Sequence, residues 1–392
     1  MAYTKTGPPM ANLNQGNCPA ARRLIILGAS ARAAAFSAVR AGFLPTACDL
    51  FGDEDLRQVA LFERLPGTYP HGFLEALESM PGAPFLYTGR LENDPRLVDR
   101  LARLRPLWGN PGAALRRSRD PFLFSSVMAE AGAAPPAMRR GEDPPDSDLD
   151  QWLRKPLRSG GGAKIARASH APPRQGKRLA FYYQRLASGD SHSSIHVAER
   201  AGSRLLGVTR QLVGVPWLHA PAFTWCGSIG PVLLPPPVTA VLERAGNAAA
   251  RTFGLRGLFG IDFLLDGTRL QPVELNPRYP ASTEILEHGL GIAAIRLHAA
   301  ACAGEDAVPE PPPVDARGGI LGKAVVFAPH DLVVASRRVE PGAIDPHRFP
   351  VLADVPAPGA TIPAGRPIIT VFAQGATMEK CEAALRQAAR RF

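Results

Sequence analysis

Lysine is scarce in this chain of 392 residues, and arginine supplies most of its positive charge. Lysine and arginine together number 45, but only six are lysines, so each lysine is more informative about function. The formal net charge is +10, yet aromatic residues are only 7% of the sequence and no basic stripe is interleaved with them. A nucleic-acid partner is therefore not expected, and anionic small molecules explain the charge equally well.

Long apolar runs and paired cysteines are also lacking. No apolar stretch reaches the length of a membrane-spanning helix, so no membrane partner is expected. Five widely spaced cysteines without a Cys-x-x-Cys motif indicate free thiols in a reducing compartment. With a hydrophobic fraction of 45% and a charged fraction of 20%, we expect a soluble, cytoplasmic, globular protein of two or three domains.

A complete Gly-x-Gly-x-x-Gly dinucleotide fingerprint is missing near the N-terminus, although the hydrophobic pattern there predicts a parallel sheet. An apolar strand over residues 24–27 is followed by a turn over residues 28–32, an alanine-rich helix over residues 33–41 and a second strand over residues 45–48. This order predicts a Rossmann-like α/β domain. The incomplete fingerprint favours a small-substrate loop or plain turn chemistry over dinucleotide binding.

The most informative residues that are present lie on two amphipathic strands. On both strands, apolar residues alternate with polar ones, which are Asp262 on the first strand and Glu274 and Asn276 on the second. If residues 267–269 form a three-residue hairpin loop, Asp262 lies directly opposite Glu274. Such oxygen ligands suit Mg²⁺ bound together with phosphates, and Arg278 would reach a phosphate. The alternative is the solvated polar face of an ordinary hairpin.

A second phosphate signal is a lysine on a strand followed by a glycine run. Lys155 precedes Gly160, Gly161 and Gly162. A lysine charge and a flexible loop of bare backbone amides can cover a polyphosphate, although this is not a Walker loop. The alternative is a surface lysine beside a flexible turn.

A third signal is a predicted strand near residues 181–190. Its apolar residues can sandwich a base, while Gln184 and the backbone after it offer hydrogen bonds to adenine. Asp190, at the end of this stretch, is a further candidate for nucleotide binding. Taken alone, the stretch is merely a strand.

Together, in this order, the three signals resemble the ATP-grasp superfamily of carboxylate–amine ligases over about residues 22–300. The resemblance implies an N-terminal α/β domain followed by two α+β subdomains that hold ATP between them. It also implies roles for individual residues: Lys155 binds phosphates and acts in catalysis, Gly160 to Gly162 form the lid, Gln184 and Leu186 line the adenine pocket, Asp262, Glu274 and Asn276 hold two Mg²⁺ (or Mn²⁺), and Arg278 steadies the transferring phosphoryl group.

One departure from the family concerns a second phosphate lysine. Members often have Asp-Lys at the start of a helix where this chain has Asp120 and Pro121. Arg117, Arg119 or Lys164 could substitute, and the sequence does not choose among them.

A narrower resemblance suggests a pathway. Residues 276–284, 227–231, 354–356 and 365–371 look like segments of the ATP-grasp proteins that make the one-carbon carriers tetrahydromethanopterin and methanofuran, including tyramine–glutamate ligase. The resemblance does not identify a substrate.

The expected fold is thus α/β and α+β, with a Rossmann-like parallel domain, a two-subdomain ATP-grasp fold and a small β-rich C-terminal domain. The predicted boundaries are a flexible tail over residues 1–21, the N-terminal domain over 22–117, the ATP-grasp domain over 118–302 (lid side 118–180, metal side 181–302), a proline-containing linker over 303–317 and the C-terminal domain over 318–392. A strand pair is expected around residues 179–186 and 194–197, and short C-terminal strands are expected over residues 322–328, 354–359 and 367–372.

The expected activity is amide formation between a small carboxylate and an amine through an acyl-phosphate, with ATP consumed. Two alternatives stay open: a degenerate ATP-binding regulatory or scaffold protein, and a bicarbonate-using, biotin-carboxylase-like enzyme. The oligomeric state is undetermined, with a homodimer among the options. Other candidate sites are weaker: His192 and His196 have a zinc-like spacing but favour a structural role, and Cys226 favours buried packing over nucleophilic chemistry. Ser282 and Glu284 suit a helix cap as well as substrate contact.

Overall fold

The computed structural model of the protein describes residues 22–170, 180–304, 319–335 and 344–392. The predicted tail over residues 1–21 and nearly all of the predicted linker over residues 303–317 lie outside the described residues. No helix within the described ranges is long and apolar enough to cross a membrane.

The N-terminal part is a parallel four-stranded sheet with helices around it, as the apolar strand and following helix predict. The strand order is β3-β2-β1-β4, and every pairing within this sheet is parallel. The last four residues of β1 are buried, which is typical of a parallel strand covered on both faces. The elements are β1 (Arg23–Leu27), α1 (Arg32–Arg40), β2 (Leu44–Asp49), α2 (Glu54–Val59), β3 (Leu61–Arg64), α3 (Phe73–Ser79), β4 (Phe85–Tyr87), α4 (Pro95–Leu104) and α5 (Gly112–Ser118).

A second, antiparallel sheet follows α6 (Pro121–Glu130). The Asp120 carboxylate caps this helix by accepting from the backbone nitrogens of Phe122 (2.9 Å) and Leu123 (3.2 Å), and Pro121 fits the first turn because it has no N–H to satisfy. The sheet order is β5-β8-β6-β7, with the strands β5 (Met138–Arg140), β6 (Trp152–Pro156), β7 (Ala166–Arg167) and β8 (Phe181–Arg185).

An eight-stranded sheet forms the largest layer, in the order β13-β12-β9-β10-β11-β14-β18-β16. Its strands beyond residue 319 pair directly with the others through β11 and β14, so the C-terminal segment extends this sheet. The remaining elements are β9 (Asp190–Glu199), β10 (Gly202–Val213), β11 (Trp225–Gly230), α7 (Pro236–Phe253), β12 (Gly257–Asp266), β13 (Arg269–Asn276), α8 (Thr283–Leu290), α9 (Ala294–Ala303), β14 (Ile320–Phe327), β15 (Leu332–Val333), β16 (Leu352–Ala353), β17 (Thr361–Ile362), β18 (Pro367–Gly375) and α10 (Met378–Ala389).

Two strand predictions are wrong. The strands near residues 179–186 and 194–197 do not pair, because β8 lies between β5 and β6 whereas β9 lies between β12 and β10 in a different sheet. Residues 354–359 do not form a strand, and only Leu352–Ala353 does. Asp354 adopts a left-handed φ of 54°, and the prolines that follow have no N–H to donate to a ladder.

A buried arginine joins three parts of the chain. Arg32, 1% exposed at the start of α1, forms a two-pronged ion pair with Glu284 of α8. Its Nε also donates to Asp354 Oδ1 at 3.0 Å, next to β16. Lys323 Nζ of β14 donates to the same Glu284 at 3.0 Å. Glu284 therefore neither caps a helix nor lies free, and its pKa is held low because these two cations outweigh its burial.

Carboxylates outnumber cations beside Arg32. Asp55 accepts from the backbone nitrogens of Asp354 and Val355, each at 3.0 Å, which ties the C-terminal segment to α2. Asp53 is 6% exposed, and burial, with the nearby charges of Asp354 and Asp49, raises its pKa well above the ordinary value. Burial likewise raises the pKa of Asp55 to about 6, although Arg32 opposes the shift. In the folded protein, Asp53 and Asp55 therefore favour the protonated form, whereas Glu284 favours the charged form.

The stabilisation contributed by Asp53 and Asp55 should fall as the pH rises from about 4 to above 6. A carboxyl group with a raised folded pKa contributes its full stabilisation below the unfolded pKa near 4 and loses it as the pH passes through 6 and above. Asp53→Asn, which removes a buried charge but keeps the shape, should raise the melting temperature at pH 8 by on the order of 2 °C or more. The gain should shrink at pH 5. Glu78→Gln, an exposed change of equal charge, is the control, and equal effects of the two variants at both pH values would contradict this account.

Candidate functional site

The β12–β13 hairpin places Asp262 directly opposite Glu274, as predicted. The predicted three-residue loop is wrong, because Asp266 pairs with Arg269 and only two residues form the turn. A β-bulge restores the pairing: Phe263 is opposite Pro272 and Asp262 is opposite Glu274, so Val273 is the extra residue. The loop is one residue shorter than expected and β13 has one extra residue, so Asp262 and Glu274 still face each other.

The Asp262 carboxylate is surrounded by amide donors. Asn276 Nδ2 donates to its Oδ2 at 2.9 Å, and Gln211 Nε2 of β10 donates to its Oδ1 at 3.0 Å. Burial and the facing Glu274 charge raise the pKa of Asp262 to about 6. Two carboxylates that oppose each other in this way favour a cation between them.

Arg119 supplies positive charge to this pair. Its Nη1 donates to Glu274 Oε1 at 2.8 Å, and the charges of Arg119 and Lys155 lower the pKa of Glu274 in spite of burial. Of the three residues that could replace the missing lysine, Arg119 is the one that contacts the acidic pair directly, whereas Arg117 and Lys164 are exposed.

Lys155, on β6, also lies beside the β12–β13 hairpin. The residue is 8% exposed, and its Nζ donates to Gln184 Oε1 at 3.0 Å and lies 3.4 Å from the carbonyl oxygen of Val273, the bulge residue. The predicted lysine, the predicted base-strand glutamine and the acidic hairpin therefore lie together, although they come from three segments of the chain.

The glycine loop lies over this group. Gly161 and Gly162 have positive φ values of 63° and 78°, and the Gly161 carbonyl accepts from the backbone nitrogen of Trp225 at 3.3 Å. A Cβ at Gly162 would lie 1.8 Å from the carbonyl oxygen of Phe223, so only glycine allows this close approach. Beside the loop is a small cleft of about 40 Å³, lined among others by Arg119, Lys155, Gly162, Tyr182 and Glu274.

Leu186 and Asp190, like Gly160, Gly161 and Gln184, lie outside the lining of this cleft. The backbone nitrogen of Leu186 donates to Gln151 at 2.7 Å, and Asp190 is exposed at the start of β9, opposite Leu265. Their roles stay predictions.

Arg278 is held by the N-terminal part of the chain, which sequence reasoning missed. Its Nε donates to Glu92 at 3.2 Å, its Nη2 to Asn276 Oδ1 at 2.8 Å and its Nη1 to the Tyr279 carbonyl at 3.1 Å. Glu92 lies just beyond β4, and a signal did exist: polar residues after the carboxyl end of a parallel strand often face a ligand.

A divalent cation fits this donor set, which consists of two carboxylates and one amide oxygen. Within residues 22–170, 180–304, 319–335 and 344–392, no group of three or more His, Cys, Asp or Glu side chains is arranged to hold a metal ion. The oxygens of Asp262, Glu274 and Asn276 are hard ligands of the kind that Mg²⁺ prefers, and Asn276 Oδ1 here accepts from Arg278.

The competing candidate residues are packed into the interior of the protein. His192 and His196 stack on Phe263 and Phe259 at ring-centroid distances of 5.4 and 5.0 Å, and burial lowers the pKa of His196 to about 3. Burial raises the pKa of the Cys226 thiol to about 11, which suits packing rather than nucleophilic chemistry. Ser282 precedes α8 without a side-chain cap, and its hydroxyl lies 3.0 Å from that of Ser228.

Comparison with known proteins finds a match to a domain family and similar folds among solved structures. Residues 120–282 match the model of the ATP-grasp domain family. A comparison of the sequence with curated proteins finds no match. Among solved structures, the chain is similar to the biotin carboxylase domain of Hydrogenobacter thermophilus 2-oxoglutarate carboxylase, which was solved with MgADP and bicarbonate (TM-score 0.67, 13% identity, 93% of this chain and 89% of that chain).

Two further solved structures cover nearly the whole of both chains. They are the L-amino acid ligase from Bacillus licheniformis (TM-score 0.64, 14% identity, 94% of this chain and 97% of that chain) and N5-carboxyaminoimidazole ribonucleotide synthetase from Thermus thermophilus (TM-score 0.64, 15% identity, 94% and 98%). The identities are low, so these likenesses establish the ATP-grasp fold and leave the reaction open.

Substitution within the glycine loop should show its dependence on close approach. Gly162→Ala should displace the loop, because the new Cβ meets Phe223 and the φ of 78° is unfavourable for alanine. Gly161→Ala is the matched control, with a similar φ of 63° but no atom within 4 Å. Hydrogen exchange of residues 159–165 should accelerate more in Gly162→Ala. Equal acceleration in the two variants would show that the contact with Phe223 is unimportant.

Proposed function

We propose that this protein is an ATP-dependent, ADP-forming ligase that joins a carboxylate to an amine through an acyl-phosphate. The observation that carries the proposal is that Arg119 contacts Glu274, which faces Asp262, while Lys155 and Arg278 contact Val273 and Asn276 of the same strand, next to a cleft lined in part by Gly162. Three cations beside two carboxylates suit a polyphosphate bound with a divalent metal.

The residues divide this work by their chemistry. Asp262, Glu274 and Asn276 would hold Mg²⁺, which, when bound, neutralises charge on the phosphates. Lys155 would bind the phosphates as a point charge, and its ammonium group is held in position by a hydrogen bond to Gln184 Oε1. The ATP-grasp fold, and the MgADP in one structural relative, support this assignment.

Arg119 would take the part of the missing phosphate lysine. Its guanidinium now rests on Glu274 at 2.8 Å, where it offsets the charge that a metal would otherwise neutralise. Glu274 would hold the metal through its other carboxylate oxygen, and Arg119, which lines the cleft, would bind the phosphates there. Arginine can bind phosphate through two donors, so it can replace lysine here.

The chemistry follows from the poor reactivity of a carboxylate. A carboxylate oxygen attacks the γ-phosphorus of ATP, the bond to the β-phosphate oxygen breaks, and ADP leaves. Arg278 offsets the charge that spreads over the transferring group. The amine nitrogen then attacks the acyl carbon, the carbon–oxygen bond to phosphate breaks, and the amine loses a proton. A closed glycine loop would keep water from this intermediate.

The resemblance to proteins of tetrahydromethanopterin and methanofuran synthesis makes glutamate and tyramine the first substrates to test. A carboxylase that uses bicarbonate is the second candidate, because one structural relative was solved in complex with bicarbonate and MgADP. A scaffold with a degenerate site is less well supported, because the acidic pair and all three cations are present.

The reaction class can be tested by isotope transfer. With glutamate labelled with ¹⁸O in its carboxyl groups, tyramine and MgATP, we expect ADP release that requires both substrates and one ¹⁸O atom per phosphate formed. Release that requires bicarbonate instead would favour the carboxylase. Tight ATP binding without release of ADP under a wide panel of acids and amines would count against both enzymes.

Substitutions that remove one charge should show which charged residues act in the cleft and which do not. Lys155→Ala and Glu274→Ala should each lower kcat/KM by roughly a hundredfold or more, because each removes a charge aimed at the phosphates or metal. Lys164→Ala, which removes an exposed lysine of the adjoining loop, should change it less than about threefold. Near-normal rates in both cleft variants, with normal melting temperatures, would refute the site.

Arginine at position 119 should be replaceable by lysine. Arg119→Ala should raise the KM for ATP by about tenfold, and Arg119→Lys should recover most of that loss, because a single phosphate contact by a cation contributes about 1.5 kcal/mol. Arg117→Ala, two residues earlier and exposed, is the control. If Arg117→Ala impairs ATP use and Arg119→Ala does not, the wrong arginine has been assigned.

A further inference from the structure

One short turn of the N-terminal part contacts both Arg119, which lines the cleft, and Arg278, which contacts Asn276. This turn, which we call the clasp, consists of Arg90 and the 3₁₀ turn Leu91–Asn93 that follows β4. Its Glu92 accepts from Arg278 Nε at 3.2 Å, and its Asn93 Oδ1 accepts from Arg119 Nη2 at 3.2 Å. Adjacent residues therefore hold two cations that lie 159 positions apart in the sequence (278 − 119).

The clasp also holds the root of the glycine loop. Asn93 Nδ2 donates to the carbonyl oxygen of Ser159 at 3.2 Å, and Arg119 Nη2 donates to the same oxygen at 2.9 Å. At Gly160, the position of a Cβ is 3.7 Å from Arg90 Cγ. Because the loop begins at Ser159, these contacts hold its first residue beside the clasp.

Two features set the clasp apart from an ordinary turn. Arg90 adopts a left-handed φ of 83°, which is costly for a residue with a side chain and is concentrated at functional sites. Glu92 is only 1% exposed, yet its Oε2 has no hydrogen-bond partner among the described residues. A pair kept for stability alone would satisfy both oxygens, since an unpaired buried acceptor is destabilising.

We propose that Glu92 and Asn93 are positioning residues of the cleft. Glu92 aims Arg278, while Asn93 holds Arg119 with its oxygen and latches the glycine loop with its nitrogen. The assignment to Arg278 and Arg119 rests on the proposed function, but the latch on Ser159 does not. The N-terminal part is thus a working component of the site rather than a neighbour of it.

The two atoms of the Asn93 amide allow the two roles to be separated. Asn93→Asp keeps an oxygen for Arg119 but places a second oxygen against the Ser159 carbonyl, so it should loosen the loop although the contact of Arg119 with Ser159 remains. Asn93→Ala should lose both contacts. Arg96→Ala, an exposed change on the neighbouring helix, is the control.

Hydrogen exchange without any nucleotide tests the latch by itself. Residues 159–165 should exchange about tenfold faster in both Asn93 variants than in the native protein or Arg96→Ala, because roughly one or two hydrogen bonds are lost. Melting temperatures should show first that each variant is folded, and Asn93→Ser serves if one is not. Native exchange in the folded variants would overturn the latch.

Kinetics with the substrates that support ADP release test the positioning. Asn93→Ala should raise the KM for ATP about tenfold, whereas Asn93→Asp should leave that KM within about twofold and increase ADP release without amide, because the loop no longer excludes water. Glu92→Gln should lower kcat about tenfold with little change in that KM. Identical profiles for the two Asn93 variants, or a native kcat in Glu92→Gln, would overturn the positioning roles.

These outcomes distinguish the clasp from the proposed function. If the native protein releases no ADP under any condition but the exchange result holds, the ligase proposal fails and the latch stands. If ADP release and amide formation occur with native exchange in the variants, the ligase stands and the latch fails.

Discussion

Two carboxylates that face each other across a hairpin are the constraint on which this site depends. Asp262 and Glu274 repel each other, and a protein can keep such a pair partly buried only by surrounding it with donors and cations. The structure does so from three directions, with Asn276 and Gln211 on Asp262 and Arg119 on Glu274. The same demand that draws in Arg119 would draw in a metal with its phosphates.

Meeting that demand ties distant segments together. Arg278 extends from the hairpin to Glu92 in the N-terminal part, so the relative position of the two parts affects the cleft directly. The buried junction at Arg32 sets that position, because it links α1 to α8 and to the segment at Asp354. An ion pair of this kind contributes modestly to stability once its desolvation is counted, but it restricts how the parts can be arranged.

Much of the site could be predicted because its signals are local. Alternation of polar and apolar residues predicts that Asp262 faces Glu274, and Lys155 does lie on a strand before a glycine loop. The hairpin also shows the limit of such reasoning. Its loop has two residues, and the pairing survives because of a bulge at Val273, which no periodicity reveals. The pairing partners of β8 and β9 escape prediction for a related reason: β8 alternates and β9 is buried along most of its length, but neither pattern says which sheet the strand joins.

The order of amino acids alone settles which residue types line each strand and turn, because a strand's period of two and a glycine's freedom at positive φ act over a few residues. It took the folded arrangement of the layers to bring Arg119, rather than Arg117 or Lys164, to Glu274, and to bring Glu92 to Arg278. The first contact joins two residues that are 155 positions apart in the sequence, and the second joins two that are 186 positions apart. Contacts between residues so far apart in the sequence depend on how the sheets and helices pack together. The residue pattern of a single segment does not determine that packing.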